Sequence, residues 1–102
     1  MSFEIRFTPE AEENYKALID QLLQRWGERF VGKFETKVLK CLNNISITPF
    51  MYAIIEENTE IRKCFLHKNC SMLYKIFDDG VLILCFWDNR QDPVFASDPS
   101  KT

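Results

Sequence analysis

The 102-residue sequence contains one histidine, no Cys-x-x-Cys motif and no apolar run approaching the roughly 20 residues of a membrane-spanning helix. With so little histidine, zinc binding is a poor reading of the four cysteines. Cys41, Cys64, Cys70 and Cys85 fall mostly inside apolar runs and read as buried reduced thiols. No metal, disulfide or cofactor is expected. The opening residues, Met1-Ser2-Phe3-Glu4-Ile5-Arg6, lack the basic start and apolar core of a signal peptide, so a cytoplasmic protein is expected.

A positive charge excess is also missing. Thirteen Lys and Arg against 15 Asp and Glu give a net charge of -2 and a pI near 5.4. Such a balance argues against a protein that holds nucleic acid through its overall field. The charge is nevertheless uneven: residues 61–75 carry Arg62, Lys63, Lys68 and Lys75 and no acid. Internal repeats and linkers are absent. The 46% hydrophobic content and nine Phe fit one globular domain over residues 1–96, followed by a short tail at 97–102.

The apolar pattern divides the chain. Residues 3–7 alternate as Phe-Glu-Ile-Arg-Phe, which suits a half-buried strand. Thr8 and Pro9 are a suitable N-cap and first helical residue, and Glu10, Glu12 and Glu13 suit the positive end of the helix dipole. Ala11, Tyr15, Leu18, Ile19, Leu22 and Trp26 then recur at helical spacing until Gly27 stops the helix. A second helix is predicted over 28–45, lined by Phe30, Val31, Phe34, Val38, Leu42 and Ile45. So short a joint makes the two an antiparallel hairpin. Pro49 ends the second helix.

Residues 50–55 are too apolar for a simple solvated loop. A short strand, a segment over the core edge and an exposed docking patch all remain open for them. Three strand-length runs follow, at 60–66, 72–77 and 81–87. Asp79-Gly80 reads as a hairpin turn in which glycine supplies the positive φ. The unbroken 81–87 run should be an interior strand covered on both faces. The expected fold is α+β: an N-terminal strand and a helical hairpin packed on a mainly antiparallel sheet, in the order β-α-α-β-β-β.

Several fragments, in this order and spacing, resemble the RelE/ParE toxin superfamily of bacterial type II toxin–antitoxin systems. They are Thr8-Pro9-x-Ala11, Trp26-Gly27, Pro49, Ile61-Arg62-Lys63, Tyr74-Lys75-Ile76 and Arg90-Gln91-Asp92. The resemblance covers nearly the whole chain. It implies a toxin partnered by a cognate antitoxin, with no membrane role and no direct DNA binding without the antitoxin.

The superfamily contains two mechanisms. RelE-like members cleave messenger RNA on the ribosome, which requires a base, cations for the scissile phosphate and an acid for the leaving oxygen. On that reading Arg62, Lys63, Lys75 and Arg90 are the phosphate cations. Ser71 stands where that branch tends to carry Arg, and no Tyr or His follows Phe86. ParE-like members poison DNA gyrase without a catalytic set, and this branch fits better. It makes Arg62, Trp87, Asp88, Arg90 and Asp92 the target contacts, and Phe50, Met51, Tyr52 and Ile54 the antitoxin contacts. A non-toxic binding module on the same fold is a third reading.

Overall fold

The computed structural model describes residues 2–67 and 70–88, and of Asp88 the backbone alone. The elements are β1 (Glu4–Phe7), α1 (Pro9–Trp26), α2 (Glu28–Ile47), a 3-10 turn (Pro49–Met51), β2 (Ile54–Glu56), β3 (Ile61–His67), β4 (Cys70–Phe77) and β5 (Gly80–Asp88). The predicted β-α-α-β-β-β plan stands, with one short strand added by part of the unreadable 50–55 stretch. The second helix runs two residues further than expected, until the Thr48 N–H closes on the Asn44 carbonyl at 2.8 Å.

The sheet order is β1-β5-β4-β3-β2. Only β1 runs parallel to its neighbour, β5; the other pairings are antiparallel. The 81–87 run is therefore an interior strand, flanked by β1 and β4. Its Val81, Ile83, Cys85 and Phe86 are buried, while Leu82, Leu84 and Trp87 are half-buried.

Gly27 joins α1 to α2 at φ 87° and ψ 176°, a backbone region essentially reserved for glycine. Its N–H also closes α1 on the Leu23 carbonyl at 2.9 Å. The hairpin lies on one face of the sheet, where Ala11, Phe34, Val38 and Ile45 from the helices meet Met72 and Tyr74 of β4. A smaller cluster of Ile61, Leu73 and Cys85 sits on the opposite face.

Two local features differ from the sequence reading. The β4–β5 turn is Asp78-Asp79, closed by the Phe77–Gly80 pair, and the positive φ (32°) belongs to Asp78. Gly80 opens β5 instead, where an added Cβ would lie 3.4 Å from the Glu4 carbonyl oxygen. That is an ordinary van der Waals distance, so neither a positive φ nor crowding by β1 requires glycine at this position. His67 is the last residue of β3 and lies opposite Cys70.

Candidate functional site

The most organised surface feature is the turn after α2. Its carbonyls leave the helix without intrahelical donors and need partners from elsewhere. Arg62 on β3 and Tyr74 on β4 are directly opposite one another and supply them. The Tyr74 hydroxyl donates to the Pro49 carbonyl at 2.6 Å. One guanidinium nitrogen, Arg62 Nη1, donates to the carbonyls of Phe50 at 3.2 Å and Tyr52 at 2.6 Å. The Lys63 N–H reaches the Ala53 carbonyl at 3.1 Å. Four carbonyls within five residues are thus held by the sheet.

The inner side of this turn is apolar and protonated. Tyr74 is fully buried, and burial raises its pKa well above the usual phenol value, against a smaller lowering by Arg62. Tyr52 turns inward, its ring 6.2 Å from that of Tyr74 in an edge-on contact. Burial pushes the Tyr52 hydroxyl up to about 12. Burial, assisted by Cys41, pushes the Cys64 thiol up to about 12. At neutral pH these groups are neutral donors, not nucleophiles. All four cysteines are buried, and no disulfide joins them.

Residues 47–54 also carry four exposed large apolar side chains. Ile47 is 55% exposed, Phe50 64%, Met51 58% and Ile54 39%. The Phe50 ring is fixed by the Arg62 guanidinium 5.3 Å from its centroid and by the edge of Phe3 at 6.3 Å. Of the residues expected to contact an antitoxin, Phe50, Met51 and Ile54 face outward, whereas half-buried Tyr52 anchors them from within. Sequence reasoning missed Ile47 and Tyr74. An apolar residue outside the α2 stripe, and a tyrosine hydroxyl needing a buried partner, were the available signals.

Among the described residues the cations do not converge. Arg62 lies opposite Tyr74, on the helix side of the sheet. Lys63 lies opposite Leu73, whose cluster is on the other face. Lys75, two residues beyond Leu73 on the same strand, shares that open face, with Nζ 5.4 Å from the Phe77 ring centroid. Trp87 packs half-buried against the same small cluster. Ser71 is fully buried. Lys68, Arg90, Asp92 and the side chain of Asp88 lie outside the described residues.

Two grooves flank the hairpin. One of about 880 Å³ is lined by Trp26, Phe30, His67, Phe86 and Trp87. Within it Trp26 stacks on Phe30 at 5.7 Å, and His67 meets the Phe30 ring edge-on at 5.4 Å. The other, about 570 Å³, lies between the helices with Tyr15, Val38, Leu39 and Leu42 on its walls and Glu12 and Glu35 at its rim. Burial, and secondarily Glu35, raises the Tyr15 pKa there. Among the described residues no group of three or more His, Cys, Asp or Glu is placed to hold a metal ion. No helix among them is long and apolar enough to cross a membrane.

The fold is shared with solved structures. The chromosomal ParDE toxin–antitoxin system from P. aeruginosa provides a chain that superimposes with a TM-score of 0.71 at 14% identity, covering 84% of this chain and 95% of that one. A conserved hypothetical protein of Helicobacter pylori superimposes with a TM-score of 0.57 at 13% identity, covering 87% and 97%. A copper-bound mutant toxin of Helicobacter pylori gives 0.56 at 14% identity, covering 86% and 96%. No curated protein matches the sequence. The sequence itself matches, over residues 5–93, the family described as the ParE toxin of the type II toxin–antitoxin system parDE. With nearly the whole chain matched and the βααβ plan followed by a largely antiparallel sheet, the protein belongs to the ParE toxin family, whose members are paired with a cognate antitoxin.

Proposed function

We propose that this toxin acts in the bacterial cytoplasm by binding and inhibiting a macromolecular target such as DNA gyrase, without chemistry of its own. We further assign the cognate antitoxin to the patch of Ile47, Phe50, Met51 and Ile54. The observation that carries the non-catalytic reading is the division of the cations. A phosphate-cleaving site needs its positive groups aimed at one phosphate, yet Arg62 is committed to two backbone carbonyls on one face while Lys63 and Lys75 occupy the other. The antitoxin assignment rests on the exposure of four large apolar side chains within eight residues of chain.

Target contacts are assigned to Trp87, Asp88, Arg90 and Asp92 at the end of β5 and the segment after it. The RelE-like alternative draws on the open sheet face, where Lys63 and Lys75 share a surface with exposed Phe65 and half-buried Trp87. Two assays on the purified protein decide between them. The non-catalytic reading expects inhibition of supercoiling by gyrase, weakened by Arg90→Ala, with ribosome-bound messenger left intact. Codon-dependent cleavage on translating ribosomes, lost in Arg90→Ala or in a Lys63→Ala, Lys75→Ala double variant, would establish the ribonuclease instead.

A further inference from the structure

We infer that Arg62, with Tyr74 beside it, is a positioning residue: together they latch the 49–52 turn in the conformation that presents Phe50 and Met51 to the antitoxin. This inference rests on the antitoxin seat assigned above. It gives Arg62 a role different from a cation that binds phosphate or target.

The geometry supporting it is specific. Arg62 and Tyr74 form one cross-strand pair, so a single rung of the sheet reaches three carbonyls of one short turn. The 2.6 Å contact to the Tyr52 carbonyl is short for an N–H donor, as a charged donor allows. The same guanidinium lies against the Phe50 ring, so one side chain fixes both the backbone and the side chain at that position. Tyr74 is fully buried and raised in pKa, so it remains a donor throughout the physiological range. The turn is also held by fully buried Pro49, by Tyr52 packed on the core, by the Phe3 ring against Phe50, by the Met51 N–H on the Thr48 carbonyl, by the Lys63 N–H on the Ala53 carbonyl and by Thr48 hydroxyl contacts, but none of these fixes the Phe50 and Tyr52 carbonyls. A side chain projecting from a loosely held turn would lose more conformational entropy on binding, and a latch removes that cost before the partner arrives.

The test separates the hydrogen-bond donors from the charge. Citrulline keeps the Nε–H and one terminal NH2 of arginine, carries a carbonyl oxygen in place of the other and has no charge, and ligation at Cys64 allows it to be placed at position 62. Amide exchange of Met51 is measured in the free protein, and binding to the cognate antitoxin is measured alongside. Arg62→Ala should accelerate Met51 exchange by about tenfold or more and weaken antitoxin binding by a similar factor. The citrulline protein, which keeps one terminal donor but loses the charge set against the Phe50 ring, should fall between the parent and Arg62→Ala in both. Unchanged Met51 exchange in Arg62→Ala would overturn the latch. Faster exchange with unchanged antitoxin binding would support the latch and overturn the seat. Should Arg62→Ala fail to fold, Tyr74→Phe, which removes only the donor to Pro49, applies the same exchange criterion.

Discussion

The hydroxyl of Thr8 donates to the carbonyl of Leu84 at 2.8 Å while accepting from the Ala11 N–H at 2.9 Å. Leu84 is the extra residue of a β-bulge, because Tyr74 lies opposite Ile83 but Leu73 lies opposite Cys85. The bulge resets the alternation of β5, so Ile83 and Phe86 both face the helices and Cys85 joins the opposite cluster. One hydroxyl therefore caps α1 and ties its start to the strand irregularity that shapes the core.

Thr8→Val should lower the stability of the protein by about 1–2 kcal/mol, since it removes the cap and leaves the Leu84 carbonyl without its donor. Thr8→Ser should be close to neutral. Thr8→Asp distinguishes the two roles: aspartate is a good N-cap but donates nothing to Leu84. Urea unfolding of the three variants measures the order, expected as Ser, then Asp, then Val; an aspartate variant as stable as the serine one would assign no weight to the Leu84 contact.

Gly27→Ala should cost about 1–3 kcal/mol, the usual range for a side chain forced into a sparsely allowed backbone region. No atom lies within 4 Å of the added Cβ, so the cost is one of backbone conformation and not of collision. Thermal unfolding should show a reduced midpoint with the helical circular dichroism retained. An unchanged midpoint would mean that the joint between the helices relaxes freely.

The helices were legible because their signals are local: Thr8, Pro9, Gly27 and Pro49 mark the ends, and the apolar residues keep a period near 3.6. The 81–87 run announced an interior strand but not its bulge, since an uninterrupted apolar run carries no alternation from which a change of phase could be seen. Gly80 was misread for a related reason. A glycine after two aspartates looks like turn chemistry, whereas the positive φ falls on Asp78 and Gly80 already pairs with Phe77 in the sheet. At the candidate site, the exposed apolar residues could be read from composition, but the function of Arg62 could not. Which face of β3 it occupies depends on the register with β4.

The buried thiols and phenols predict an alkaline limit to stability. Cys85 is raised by burial from 9.0 to about 11, Cys64 from 9.0 to about 12, and Tyr52 from 10.0 to about 12. Above the ordinary thiol value the unfolded chain loses protons that the folded chain retains, so stability falls as pH rises. The contribution of these groups is complete below 9.0, and Cys85 loses its share up to about 11. Urea midpoints should decline as pH rises from 9.0 towards about 11. Cys85→Ala should show a shallower decline, and a slope identical to the parent would remove Cys85 from the account.

The exposed patch gives a prediction about toxicity that separates antitoxin from target. Ile47→Ser and Phe50→Ser together remove two large apolar surfaces that are more than half exposed, so the fold should lose less than about 1 kcal/mol. If these residues anchor the antitoxin, its affinity should fall by at least about 30-fold, because central apolar anchors dominate such interfaces. Target inhibition should persist, since the proposed target contacts lie around the end of β5. The double variant should therefore arrest growth even when the antitoxin is co-expressed, while the parent toxin is neutralised. Rescue of the variant by the antitoxin would place the seat elsewhere, with the inter-helix groove walled by Tyr15, Leu39 and Leu42 the next surface to mutate. Loss of growth arrest without loss of antitoxin binding would make the patch a target contact instead.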